Sequence, residues 1–182
     1  MDFDFTISEL LFKDELYYLN VYIDNNPIEI NIPDLKIVNI DKEIISFEFL
    51  ENSNYEYELL YNIDTWIKNK IYEISENIFG FTSNKETINE LFRSSLTIPK
   101  RLSYPLIECR ITKDTIIEDK NSKKYSYDEL ELNNYYNVNI KIKLNSIVLK
   151  ENIFYVDYEI TYIKILEYLC NLDEYLFDNK FY

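Results

Sequence analysis

Polar and apolar residues alternate with a period of two along residues 135–166, with one polar break at Lys150-Glu151-Asn152. In the first run the apolar face carries Tyr136, Val138, Ile140, Ile142 and Leu144. In the second run it carries Phe154, Val156, Tyr158, Ile160 and Tyr162. Alternation over this length is typical of β-strands, and the short break predicts a β-hairpin with one buried face. The opposite face meets solvent, a ligand or a partner.

The first fifty residues consist of short alternating or apolar runs separated by turn-forming residues, which predicts a meander of four or five antiparallel strands. The runs cover residues 3–12, 17–23, 28–32, 35–40 and 44–50. Pro27 and Pro33 flank the third run. Because proline cannot donate to a sheet ladder, we expect that strand to be short or to lie at an edge.

The hydrophobic period then changes to steps of three and four over residues 55–79, which predicts an amphipathic helix ending at a left-handed Gly80. Ser83-Asn84-Lys85-Glu86 has the pattern of a capping box, so a second helix is expected from there to about residue 96, before Pro99. Alternation resumes over residues 104–112. The sequence therefore predicts an α+β fold, with two helices packed on an antiparallel sheet or small barrel.

Domain organisation and cellular location follow from what the chain lacks. No window approaches the roughly 18 apolar residues of a membrane span, and the first residues do not have the pattern of a signal peptide. We expect an intracellular protein with no membrane partner. Residues 1–166 are predicted to form one domain, followed by a short acidic tail or terminal helix at residues 167–182.

The charge balance disfavours indiscriminate binding to polyanions. The chain has a net charge of −14, whereas binding to phosphate or anionic lipid draws on Lys and Arg. The distribution is uneven, because residues 98–143 hold nine basic and seven acidic side chains. We therefore expect any capacity to bind anions in the second half of the chain.

The composition excludes most catalytic mechanisms. There is no His, and Gly80 is the single glycine, so imidazole chemistry and glycine-rich phosphate loops are excluded. In a chain with 33 acidic residues, neighbouring carboxylates arise by chance. Cys109 falls on the apolar side of its run and is expected in the core. We predict a protein without enzymatic activity, cofactor or metal site.

A nucleic-acid surface is the leading candidate. The chain has 18 Tyr and 11 Phe residues that bases can stack on. Candidate contacts on the outer face of the hairpin, and in the strand and loop beside it, are Tyr135, Lys141, Lys143, Tyr155, Arg110, Lys113, Lys123 and Lys124.

The alternative is a solvated face of paired charges. A three-residue turn at residues 150–152 places Lys143 opposite Glu159 and brings Asp157 close to Asn145. Cross-strand ion pairs of this kind neutralise a basic patch.

A family resemblance covers residues 55–166. It rests on the helices ELLYNIDTWIKNKIYEISENIFG and SNKETINELF, the strand start YPLIECRI and the final pair NVNIKIKLNSIVL and NIFYVDYEITYIKI. Their order resembles the phage T7-type single-stranded DNA-binding protein family as found in large nucleocytoplasmic DNA viruses. The resemblance implies an OB-like barrel with inserted helices, an acidic C-terminal tail, single-stranded DNA as ligand, and a location in the host cytoplasm, the viral factory or the virion.

Two features depart from that family. Where its members carry an aromatic pair, this chain has Ile147-Val148-Leu149, so a stacking platform is missing. The first sixty residues are also more acidic than is favourable for coating DNA. A second hypothesis is therefore a viral structural or assembly protein, acting through interfaces with viral proteins or as a homo-oligomer, because Tyr is as common in protein interfaces as in base stacking.

Overall fold

The computed structural model describes residues 5–13, 16–23, 26–98, 104–130, 135–151 and 153–169. The strands are β1 (Phe5–Ile7), β2 (Leu11–Lys13), β3 (Leu16–Leu19), β4 (Val21–Ile23), β5 (Asn26–Asp41), β6 (Ile44–Phe49), β7 (Phe92–Arg93), β8 (Leu96–Thr97), β9 (Leu106–Arg110), β10 (Ile116–Asp119), β11 (Lys124–Tyr125), β12 (Tyr135–Lys150) and β13 (Ile153–Leu169). The helices are α1 (Asn54–Glu73), α2 (Ser75–Phe79) and α3 (Lys85–Leu91), with 3-10 turns at Glu51–Ser53 and Tyr127–Glu129. The predicted α+β class is confirmed. From residue 170 onwards, the predicted acidic tail lies outside the described residues.

Five of the strands pair in a cycle. Strand β5 pairs with β6, β6 with β9, β9 with β13, β13 with β12, and β12 with β5 again. All these pairs are antiparallel except β9 with β13, which run parallel where Arg110 lies opposite Glu159. The cycle is possible because β5 is long enough to pair with β12 along its first part and with β6 along its second.

Strand β5 corrects the sequence prediction. The runs at residues 28–32 and 35–40 belong to one strand of 16 residues, and it is neither short nor at an edge. Pro33 is accommodated by a register shift opposite Asn139, where Asp34 adopts a positive φ of 49°. The side-chain oxygen of Asn139 accepts a hydrogen bond of 3.1 Å from the N–H of Asp34. A bulge of this kind is one of the few places where a paired strand tolerates proline.

The predicted β12–β13 hairpin is confirmed, with Glu151 in the left-handed region at its turn. The predicted register is present only in part, because the assumed three-residue turn is wrong: Lys150 pairs with Ile153, and Asp157 lies opposite Ser146. Lys143 lies opposite Glu159, and the amide of Asn145 donates a 3.0 Å hydrogen bond to Asp157. A register shift between Leu144 and Ser146 changes which residues of β12 face outwards near the turn.

The inward faces of the strands and one stripe of α1 form a single hydrophobic core. The predicted apolar faces of the hairpin are buried apart from Tyr162, and Cys109 is buried among them. From α1 the core takes Leu60, Ile63, Ile67 and Ile71. The stripe of α1 that its hydrophobic periodicity predicted to be buried therefore belongs to this core.

The helix boundaries agree in part with those predicted. Gly80 has a φ of 74° and ends α2 as predicted, but the first helix is interrupted at Ile74. The second begins at a cap formed by Asn84, not Ser83, and it ends at Leu91 instead of continuing to about residue 96. Strand β7, which follows directly, pairs with the start of β13, and this distant pairing ends the helix. In the described ranges, no helix is long and apolar enough to cross a membrane.

The N-terminal strands enlarge the sheet on both sides of the cycle. Strands β2 and β3 form a hairpin whose second strand pairs with β12 at residues 147–149. Strands β1 and β4 pair with each other, and β4 pairs with the start of β5. The β2–β3 hairpin therefore stands beside the outer face of β12, where the sequence placed its candidate ligand surface.

Candidate nucleic-acid interface

A row of alternating charges crosses four strands on the outer face of the sheet. The strand register aligns Glu29 on β5 with Lys143 on β12, Lys143 with Glu159 on β13, and Glu159 with Arg110 on β9. Residues aligned in this way point to the same face of a sheet. The predicted cations Lys143 and Arg110 therefore lie in one row, but the carboxylate of Glu159 lies between them.

Arg110 is the most strongly held cation of this row. Its Nε and Nη2 donate hydrogen bonds of 3.0 and 2.9 Å to the two carboxylate oxygens of Asp157, and Nη2 also contacts Glu159 at 2.7 Å. These bonds, first of all those to Asp157, hold the pKa of Arg110 above its ordinary value. Among the described residues no hydrogen bond uses Nη1, so two of the five guanidinium N–H donors remain for an anion.

The two lysines of β12 differ in their surroundings. Lys141 Nζ forms a 2.8 Å ion pair with Glu29 Oε2. Lys143 makes no ion pair among the described residues, because its neighbour Glu159 is taken by Arg110. The ion pair predicted between Lys143 and Glu159 is not formed. Ion pairs across strands are present instead at Lys141 with Glu29 and at Arg110 with Asp157 and Glu159.

A concave cleft of about 500 Å³ lies between the β2–β3 hairpin and the outer face of β12 and β13, and we call it the hairpin cleft. The register aligns Tyr18 of β3 with Val148 of β12, and Val148 with Tyr155 of β13. Two tyrosines therefore stand on either side of a buried valine. The remaining lining residues are Leu11, Lys13, Leu16, Asn20, Ile44, Arg110, Asn145, Ser146 and Asp157.

Two polar groups in the hairpin cleft are affected by burial. Tyr155 is partly buried, and this burial, followed by the charge of Asp157 and the proximity of Tyr18, raises the pKa of its hydroxyl. Ser146 is 97% buried, and within the described part of the chain its hydroxyl has no hydrogen-bond partner. A buried hydroxyl without a partner is unusual in a folded protein and indicates a place where an additional polar group fits.

A smaller cleft of about 250 Å³ adjoins the first, and the two share Ile44, Arg110, Tyr155 and Asp157. At this second cleft the hydroxyl of Ser94 hydrogen-bonds to Asp64, a buried carboxyl of α1. Burial raises the pKa of Asp64 to about 6, against the opposing effects of Ser94 and Lys68.

Two further candidate lysines, Lys113 and Lys123, lie at or beside a third cleft of about 550 Å³, which we call the lysine cleft. It is lined by Lys113 and by Lys42 of the β5–β6 turn, together with Tyr125 and Tyr127. Lys123 lies 4.6 Å above the ring of Tyr125. The remaining lining residues are Glu43, Ile111, Thr112, Thr115, Ser126 and Asp128.

The structure therefore divides the predicted contacts into two groups. Arg110 and Tyr155 line the hairpin cleft, with Lys143 in the adjacent row, while Lys113 and Lys123 lie at or beside the lysine cleft. Lys141 is neutralised, and Lys124 is exposed on β11 opposite Glu118. The backbone of Tyr135 begins β12, but its side chain lies outside the described residues.

Sequence reasoning missed the contribution of the N-terminal strands. The aromatic pair absent from Ile147-Val148-Leu149 has a counterpart on the neighbouring strand, since Tyr18 pairs with Val148 and Tyr17 with Leu149. Of the two, Tyr18 faces the cleft. The sequence does contain the Tyr17-Tyr18 pair within an alternating run, which could have indicated a stacking surface. No neighbouring residue, however, indicates which distant strand this run pairs with.

The described strands and helices have the fold of a phage single-stranded DNA-binding protein. The structure that shows this is "Single-stranded DNA-binding protein from bacteriophage Enc34, C-terminal truncation", with a TM-score of 0.50, 8% sequence identity, and coverage of 90% of this chain and 98% of that one. The untruncated protein from the same phage gives a TM-score of 0.48 at 10% identity, over 87% of this chain and 89% of that one. No protein-family model and no curated protein matches the chain. The coarser part of the sequence resemblance is thus confirmed, while the T7-type family stays a prediction.

Proposed function

We propose that the chain is a non-catalytic viral single-stranded DNA-binding protein, and that its cycle of five strands is an OB-type barrel with inserted helices. OB-folds are five-stranded barrels that bind oligonucleotides on their second and third strands and with the loops joining strands one to two and four to five. In this chain the strands of the cycle are, in sequence order, β5, β6, β9, β12 and β13. The fold shared with the truncated phage protein supports this assignment.

The position of the clefts is the observation that carries the proposal. The loop between the first two strands of the cycle is the turn at Lys42, and Ile44, which follows it, lines the hairpin cleft. Lys42 itself lines the lysine cleft. Tyr155 lies two residues after the start of β13, next to the other loop. Both clefts thus adjoin loops with which OB-folds hold oligonucleotides.

A continuous path connects the two clefts. Arg110 lies in the hairpin cleft and Lys113 in the lysine cleft, three positions further along the chain. Three residues span at most about 10 Å, so these cations can contact neighbouring phosphates of one strand. Tyr155 provides a face for a base along this path, and stacking on aromatics does not depend on base identity.

The electrostatics predict modest, salt-sensitive binding. The net charge of −14 repels DNA at long range. Two of the candidate cations are already paired, Lys141 with Glu29 and Arg110 with Asp157 and Glu159. Only a few phosphate contacts remain, and each contributes a slope of roughly −0.7 to the dependence of log affinity on log salt for a single strand.

The proposal is tested by fluorescence anisotropy of a labelled oligothymidine, titrated with the protein at about 50 mM and about 200 mM salt. Phosphate contacts are stronger at the lower salt concentration. We expect saturable binding at low salt that weakens at high salt. The double variant Lys141→Glu, Lys143→Glu should bind more weakly with a flatter salt slope. The double variant Lys68→Glu, Lys70→Glu is the matched control, because it changes the net charge equally on α1, where Lys70 pairs with Glu73 and Lys68 lies over the ring of Phe92. Absence of binding by the unmodified protein at the lower salt concentration contradicts the proposal.

A second candidate function, an assembly protein that binds other copies or viral proteins, is favoured by the outer edge of the β2–β3 hairpin. Within the described residues β2 pairs with β3 alone, and its side chains Leu11 and Phe12 are 50% and 66% exposed. An exposed apolar edge strand is suited to pairing with another chain. Light scattering distinguishes the candidates: a stable oligomer that ignores oligonucleotide favours assembly, and a species that shifts on adding single-stranded DNA favours the first proposal.

A further inference from the structure

The hairpin cleft has the dimensions of a small-molecule site. Its volume of about 500 Å³ lies within the range of about 300 to 1,000 Å³ typical of such sites. Strands β3 and β13 flank β12, and neighbouring strands are about 4.8 Å apart. Tyr18 and Tyr155 therefore rise from backbones roughly 10 Å apart, on either side of Val148.

This separation suits a planar ring. A ring in contact with an aromatic on each face needs about 7 to 8 Å between the two aromatics, since carbon atoms in contact lie about 3.5 to 4.0 Å apart. Neither Tyr18 nor Tyr155 makes a ring contact or a hydrogen bond to another described residue. Both side chains are therefore available to a ligand.

Ser146 supplies a polar group at the base of the same cleft. It lines the cleft beside Val148, is 97% buried, and has no hydrogen-bond partner within the described ranges. Its neighbour Asn145 is engaged with Asp157 and does not satisfy it. A hydroxyl can donate to or accept from the edge of a ring that carries carbonyl and amino groups.

Cationic groups lie at the margin of the cleft. Lys13 is on β2, and Arg110 is at the end of β9 with its Nη1 unused by Asp157 and Glu159. An aromatic slot, a buried hydroxyl and a guanidinium beside it match the three parts of a nucleotide that a protein recognises: base face, base edge and phosphate.

We propose that the hairpin cleft is a pocket for one nucleobase, held between Tyr18 and Tyr155, with Ser146 against its edge and its phosphate on Arg110. The inference rests on the proposed function where the base belongs to single-stranded DNA. A free nucleotide presents the same chemistry, and the experiment separates the two sources.

The test measures the affinity of the full chain for oligothymidine by anisotropy and for thymidine monophosphate by NMR titration. The variants are Tyr18→Leu, Tyr155→Leu and Ser146→Ala. Each tyrosine variant should weaken oligothymidine binding about ten-fold, the size of one lost base stack. The control is Tyr17→Leu, because Tyr17 neighbours Tyr18 on the same strand but stacks on Phe12 at the opposite face, at 4.8 Å.

Ser146→Ala separates binding from folding. Since it removes an unpartnered hydroxyl, it should leave the thermal midpoint unchanged or raised while weakening binding several-fold. This variant tests the pocket even where a tyrosine substitution reduces folding.

The outcomes are distinct. Oligothymidine binding that Tyr18→Leu and Ser146→Ala weaken and Tyr17→Leu leaves intact supports the pocket. The chain could instead bind thymidine monophosphate and not oligothymidine. If Tyr18→Leu and Ser146→Ala weaken that binding and Tyr17→Leu does not, the result also supports the pocket and identifies a free nucleotide as its ligand. Oligothymidine binding that all three cleft variants leave unchanged overturns the pocket and leaves the proposed function standing. No binding of either probe by the unmodified chain overturns both.

Discussion

The guanidinium of Arg110 and the carboxylate of Asp157 face each other across β9 and β13, joined by two parallel hydrogen bonds of 3.0 and 2.9 Å. Two-point contacts of this kind are strong and directional. The same geometry suits a phosphate, so under the proposed function Asp157 would compete with a DNA phosphate for Arg110, which lines the hairpin cleft.

Replacing that internal competitor should strengthen binding to DNA. We expect Asp157→Asn to bind oligothymidine several-fold more tightly at low salt, with a steeper salt slope, because Arg110 gains freedom to contact phosphate. Losing the charged bond should lower the free energy of unfolding by about 1 to 3 kcal/mol. Anisotropy and urea denaturation measure the two effects.

The control for this change is Glu73→Gln, which removes a carboxylate that pairs with Lys70 on α1, away from the clefts. It alters the net charge by the same amount and should leave affinity nearly unchanged. Equal gains from both variants would show that net charge, and not release of Arg110, governs binding.

The two lysines of β12 should differ in their contribution to binding. Lys141 is neutralised by Glu29 at 2.8 Å, whereas Lys143 has no ion-pair partner among the described residues. Lys143→Ala should therefore weaken binding and flatten the salt slope by roughly 0.7, the share of one phosphate contact. Lys141→Ala should change both less. Salt titrations of the two variants side by side check this, and the opposite ranking would contradict the interface described above.

Asp64 should make stability depend on pH. Asp64 is a buried residue of α1, and this burial raises the pKa of its carboxyl from 3.8 to about 6. A carboxyl that binds its proton more tightly in the folded chain than in the unfolded chain lowers stability as pH rises between those values. The protein should therefore lose about 2 to 3 kcal/mol between pH 4 and pH 6.5 from this group.

The variant Asp64→Asn isolates that effect, because an amide can still accept the hydrogen bond from Ser94. It should be more stable than the unmodified chain at pH 7.5, and the difference should shrink towards pH 4. Urea denaturation at three pH values measures it. A difference that is independent of pH would show that Asp64 does not titrate in this range.

Gly80 should be sensitive to substitution through its backbone alone. Its φ is 74°, and a Cβ added there would meet no atom within 4 Å. Gly80→Ala should cost about 1 to 2 kcal/mol of unfolding free energy, the strain of a side chain in the left-handed region. Gly80→Asn should cost less, since Asn adopts this conformation more readily. Thermal denaturation distinguishes the two, and equal costs would mean that the helix end has rearranged.

Features of the fold that are local in sequence could be predicted. The hairpin followed from alternation, and the predicted alignment of Lys143 with Glu159 is present. The turn assumed for it was wrong, since Lys150 pairs with Ile153, and a register shift between Leu144 and Ser146 restores the alignment. The strand through Pro33 could not be predicted, because its bulge is satisfied by Asn139, whose side chain bonds a backbone group 105 residues away. No local pattern reveals a partner at that distance.

The same distinction applies to the candidate site. Tyr155 was predicted because it lies at an outward position of the β12–β13 hairpin, and Arg110 because it lies on the strand beside that hairpin. Tyr18 and Ser146 were missed, because the first reaches the cleft through the pairing of β3 with β12 and the second through a register shift inside β12. Both events depend on the assembled sheet and not on neighbouring residues.

Under the proposed function, single-stranded DNA binds along the path through the hairpin cleft and past Arg110 to the lysine cleft. Amide NMR spectra of the full chain, recorded during titration with oligothymidine at about 50 mM salt, would locate the bound strand. We expect shifts concentrated at Tyr18, Arg110, Lys113 and Tyr155, with little change on α1. No shifts at this salt concentration, or shifts confined to the helices, would contradict this binding path.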